Sequence, residues 1–257
     1  MTAAAAPDTR TLADFVIGMA DNDLILAQQL GKLCGHGPNL ETDIALTNIS
    51  LDLFGQVRSC FQYAATLLGN GATEDTIAFL RKEHEYRNVL LVEQPSLDFG
   101  HIIVRQFLYD VFHHLLLERL QFSADETIAA IARKSIKETA YHVRFSADWL
   151  VRLGDGNDES RARAQAALDH LWPYADEWFL PTAVESAAAA AGIGADLPSL
   201  REPYQRKVAA VLREATLELP ADTHFRKGGK QGIHTEHMGY ILAEMQSMQR
   251  TYPGMQW

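Results

Sequence analysis

Two short spellings carry the chemistry this chain offers. Asp110-x-x-His113 and Thr139-Ala140-Tyr141-His142 each place a side chain three residues before a histidine, which sets both on one helical face. In four-helix bundles, inward-facing Glu-x-x-His pairs joined by carboxylates from neighbouring helices hold two metal ions. Here a threonine stands where the second carboxylate would be. Gln56, Asp110, His113, His114, Glu138 and His142 are the polar residues that fall toward a bundle centre. Glu138 lies about 100° around the helix from Thr139. Two readings stay open at this point. One is a metal site using Asp110, His113, Glu138 and His142. The other is a buried polar layer whose members hydrogen-bond one another, since an unpaired buried polar group is costly.

A second stretch, Arg226-Lys227-Gly228-Gly229-Lys230-Gln231-Gly232, precedes a helical pattern. Glycines and cations before a helix N-terminus can hold an anion through backbone N–H groups. The stretch lacks the P-loop spelling, and the plainer reading is a flexible basic loop that packs or binds a partner. His234-x-x-His237 would pair on one helical face as metal ligands, but no third ligand is evident. No Gly-x-Ser-x-Gly nucleophile turn occurs.

Long helices must position these residues. Residues 123–154 read as one helix, with Ser123 and Glu126 at capping-box spacing and Gly154 as the stop. Ile128, Ile131, Ser135, Thr139, His142, Ser146 and Trp149 share a face that is apolar at both ends and polar in the middle. Residues 98–120 form its partner, with Phe99, Ile103, Gln106, Asp110 and Leu117 on one side. A first helix covers 8–34, with a bend expected at Gly18 or Asp21-Asn22-Asp23. A second runs 40–68 behind the N-cap Asn39. A charged helix is expected over 73–93. Shorter helices follow at 159–172, 174–191, 198–218 and 234–251, punctuated by prolines. Residues 1–7 read as a loose tail. The fold class is all-α: a four-helix bundle over 8–154 with additional C-terminal helices over 155–257, together a single domain.

The sequence has 257 residues, 47% hydrophobic, and a net charge of −10. That acidity argues against nucleic-acid or anionic-membrane binding. No apolar run is long enough for a membrane span, and the N-terminus has no secretory pattern, so a cytoplasmic protein is expected. Cys34 and Cys60 read as buried, reduced thiols.

The segments LGKLCGHGPNLETDIALTNISLDLFGQVR, LLVEQP, KETAYHVRFS and GGKQGIHTEHMGYILAEMQ, with the closing PGMQW, resemble the C subunits of bacterial ring 1,2-phenylacetyl-CoA epoxidases. The resemblance covers nearly the whole chain after the first ten residues. It implies a ferritin-like helical protein that is itself non-catalytic and structural. It would pair with a homologous subunit that holds a di-iron site and binds the acyl-CoA, with electrons arriving from NADPH through a separate reductase. Against that catalytic relative, Lys32, Leu53, Gln56, Asp110, Thr139 and His142 stand at the six ligand positions. The resemblance therefore implies a degenerate metal site keeping only Asp110 and His142, with no cofactor in this chain. It also implies that Lys32 pairs with Asp110 inside the bundle, and that Arg226, Lys227 and Lys230 meet the acyl-CoA or the partner. Alone, the chain would form a homodimer. The alternatives are an active di-iron oxygenase and an unrelated helical binding or storage bundle.

Overall fold

The computed structural model describes residues 7–221 and 224–255. The expected tail, apart from Pro7, and the last two residues lie outside the described residues. The described chain is helical, with no strand among the described residues, as the ferritin-like class requires. Its contacts gather into two compact units, Met1–Glu93 with Gly228–Trp257, and Gln94–Lys227.

The first unit is built on an antiparallel pair, α1 (Thr9–Gly31) and α2 (Leu40–Leu68). Asp8 caps α1 by accepting from the Thr11 N–H, and Asn39 caps α2 by accepting from the Thr42 N–H. The bounds of α2 are those its caps and periodicity predict. In contrast, α1 runs unbroken through Gly18 and the Asp21 cluster. Asp21 is fully buried and bound to Arg81 at 2.9 Å, so it supports the helix rather than ending it.

The helix expected over 73–93 shrinks to α3 (Glu74–Phe79) and a 3-10 turn at Glu83–Glu85. The reason is competition for backbone donors. The N–H groups of Arg87 and Val89 go to Asp21 Oδ2 and Asn22 Oδ1, both at 2.8 Å, instead of to carbonyls one turn back. Near the C-terminus, α9 (Glu236–Met245) and α10 (Ser247–Thr251) replace one expected helix. They part at Gln246, whose amide donates to Arg81 O and Tyr86 Oη. Because α1 stops at Gly31, Cys34 falls in the following turn and is exposed, not buried as expected. Cys60 is buried, and burial pushes its thiol pKa up.

The second unit centres on α4 (Phe99–Leu120), buried without a break from Gly100 to His113. A helix covered on every side needs neighbours all round. Here they are α5 (Glu126–Gly154), α6 (Asp158–Leu171) and α8 (Arg201–Glu214). The cap of α5 is Asp125, not Ser123. Ser123 instead donates to Ile193 O at 2.7 Å. Between α6 and α8, α7 (Ala183–Ala190) follows Pro181, which ends the preceding 3-10 turn at Glu177–Phe179. No described helix is long and apolar enough to cross a membrane.

Candidate functional site

Within the second unit, α4 and α5 lay polar side chains in register. Gln106, Asp110 and His113 are buried on α4, and Ser135, Thr139, His142 and Ser146 are buried on α5. Steps of three and four residues keep each set on one face. Gln106 Nε2 donates to Asp110 Oδ1 at 2.6 Å, and Ser146 Oγ donates to Asp110 Oδ2 at 2.8 Å. Ser146 Oγ also lies 2.9 Å from His142 O. His114 Nδ1 is 3.0 Å from Thr139 Oγ1, and that hydroxyl reaches Ile136 O. Burial, then the nearby His142 and His114, push His113 down to about 3, so it is neutral near pH 7.

This layer does not have the donor set of a di-iron centre. Asp110 already accepts from an amide and a hydroxyl, and Thr139 supplies a hydroxyl hydrogen-bonded to His114. Glu138 is only half-buried, outside the row of α5 residues packed on α4. Among the described residues, no three His, Cys, Asp or Glu side chains converge as ligands. In the first unit, Leu53 and Gln56 are buried on α2, and Leu53 has no donor atom. Lys32 is not buried, as the expected pair with Asp110 would require. Lys32 caps the end of α1, is exposed, and its Nζ meets Glu244 Oε2 at 2.6 Å. An ammonium reaching solvent there avoids the desolvation that a buried pair would impose.

The Gly/Lys stretch is not an anion cradle. A Cβ on Gly229 would lie 2.1 Å from Asn88 O, and one on Gly232 would lie 2.2 Å from His84 O. The glycines admit the chain's own backbone, which fills the space an anion would need. Lys230 is buried there at 7% exposure, so the three cations do not present together. Arg226 and Lys227 are exposed, with Arg226 N bonded to Pro173 O and its guanidinium 5.5 Å above the Tyr174 ring.

His234 and His237 do not form a helical metal pair, because α9 begins only at Glu236. The His234 side chain is instead buried against Glu93, with Nδ1 3.0 Å from Oε2, and the Thr235 N–H donates to Oε1 at 2.8 Å. Burial opposes charge on this imidazole, but the hydrogen bond to Glu93 and its negative charge outweigh burial and raise the pKa. Residue-type reasoning passed over Glu93, Asp21 and Arg81. LLVEQP and GGKQGIHTEHM, both within the segments that carry the resemblance, clasp each other at Glu93, His234 and Thr235.

A family model described as "Phenylacetic acid catabolic protein" matches residues 1–257. The chain belongs to the phenylacetic acid catabolic protein family. The curated C subunit of the 1,2-phenylacetyl-CoA epoxidase of Escherichia coli (strain K12) is 47% identical over 246 residues, covering 96% of this chain and 99% of that protein. In this family member, the two segments that clasp at Glu93 and the polar layer on α4 and α5 all fall within the span of the family match.

Proposed function

We propose that this chain is the structural, non-catalytic subunit of a phenylacetyl-CoA epoxidase in phenylacetate catabolism. It supports a homologous helical subunit that carries the di-iron centre and the acyl-CoA, while NADPH reduces that centre through a separate reductase. The complex works in the cytoplasm. The observation that carries the reading is the state of Asp110: both carboxylate oxygens are engaged by the neutral donors Gln106 and Ser146, an arrangement suited to stabilising a helix pair. Similarity to a protein named as part of an epoxidase supplies the setting. The exposed Arg226 and Lys227 are cations of the kind that phosphates of the partner's acyl-CoA would pair with.

Co-purification with the catalytic subunit, followed by a phenylacetyl-CoA turnover assay, tests the reading. Stable co-elution and turnover that depends on this chain are expected. Full turnover by the catalytic subunit alone would end it.

A further inference from the structure

α2 leaves an apolar face uncovered. Leu40 is 70% exposed, Leu51 60% and Ile44 49%. With Gly55 they fall within an arc of about 60° at 100° per residue. Nothing lies within 4 Å of a Cβ built on Gly55. A glycine in a helix interior costs about 1 kcal/mol relative to alanine, and no neighbour among the described residues requires it. A second helix passing close would.

The stripe is a palindrome. Leu40, Ile44, Leu51 and Gly55 are spaced four, seven and four residues apart, symmetric about the point between Thr47 and Asn48. Laid antiparallel on a copy of itself, α2 sets Leu40 over Gly55 and Ile44 against Leu51, twice each. A parallel pairing would set Gly55 on Gly55 and leave a hole there. The charges favour the same choice. Glu41 lies in the first turn and Arg58 toward the other end, so the antiparallel register brings each within about one turn of its opposite. The parallel one sets Glu41 on Glu41. Arg58 is 69% exposed even while it meets Glu74 at 3.1 Å, so it remains reachable.

We propose that this face is a self-docking surface on which α2 of a second copy of the chain packs antiparallel, in the register Leu40–Gly55 and Ile44–Leu51. The contact is isologous, as a two-fold dimer requires. It rests on the reading of the chain as a subunit whose work is association.

The test uses the full chain carrying Cys34→Ser, because Cys34 is exposed and Cys60 buried. Light scattering at about 0.15 M salt, where long-range repulsion between net-negative chains is screened, is expected to give a dimer. Under oxidation, Ile44→Cys with Leu51→Cys should give a disulfide-linked dimer. Each single variant should not, because like positions sit about seven residues, or roughly 10 Å, apart along the antiparallel pair. Leu51→Glu should weaken the dimer at least tenfold while leaving the helical circular-dichroism signal and melting temperature near wild type. A monomeric chain with no disulfide overturns the proposal, whether or not a homologous subunit binds the face. A dimer untouched by Leu51→Glu overturns it as well. Turnover without this chain would sink the subunit reading and leave the disulfide result standing, so the two failures are separable.

Discussion

Ser146 on α5 donates its hydroxyl proton to Asp110 on α4 at 2.8 Å, while Gln106 reaches the other carboxylate oxygen at 2.6 Å. Asp110→Ala strands buried donors, each costing about 1–3 kcal/mol. A total loss of about 2–4 kcal/mol is expected, read as a lower urea midpoint at unchanged slope. Lys32→Met should cost less than about 1 kcal/mol, as its pair with Glu244 is exposed. The double variant should be additive within about 0.5 kcal/mol. A larger coupling between Lys32 and Asp110 would restore the buried ion pair.

Iron content is the direct check on the donor set. Protein made in iron-rich medium is expected to carry well below one iron per chain. About two per chain by elemental analysis, the complement of a bundle di-metal site, would favour the active-oxygenase alternative.

Two histidines give opposite pH dependences. His234 has a folded pKa raised by Glu93. Its contribution is fully present below about pH 6.5, the unfolded value, and is lost as pH rises through the higher folded value. His113 is depressed to about 3. The unfolded chain gains that proton first, so below about pH 6.5 stability falls by up to about 1.4 kcal/mol per pH unit until the folded value is reached. Melting temperatures across pH for wild type and Glu93→Gln isolate the first effect. The difference between them should shrink as pH rises above 7. A difference that grows with pH would refute the assignment.

Gly229→Ala places a methyl carbon 2.1 Å from Asn88 O, and Gly232→Ala places one 2.2 Å from His84 O at a φ of +80°. Each should destabilise by more than about 2 kcal/mol in denaturant titration. Lys230→Ala should also destabilise, since Lys230 is buried. Arg226→Ala with Lys227→Ala should leave the melting temperature alone and weaken assembly or acyl-CoA use. A reversal of those two outcomes would return the loop to a single cationic surface.

Local signals made much of this legible. The Asn39 cap and the apolar spacing gave α2 its bounds, and the three-four spacing put Asp110, Thr139, His142 and Ser146 on inward faces of α4 and α5. What stayed hidden depends on residues far apart in the chain. Lys32 turns to Glu244, which periodicity says nothing about. The segment after α3 has helix-compatible residues, yet Asp21 and Asn22 take its backbone donors. The glycines of the Gly/Lys stretch suit a phosphate or a close backbone equally well, and only the approach to Asn88 decides between them.

The clasp of Glu93 by His234 and Thr235 closes a unit whose two pieces, Met1–Glu93 and Gly228–Trp257, are separated by the whole of Gln94–Lys227. On the ribosome, the intervening segment is contiguous and can fold as it emerges. The N-terminal piece must wait, for on the order of ten seconds at ordinary elongation rates, with Glu93 still lacking its imidazole and the 84–90 backbone uncovered. A message cut short after codon 227 would thus yield a chain with a finished middle and an unfinished beginning, a natural substrate for proteolytic quality control.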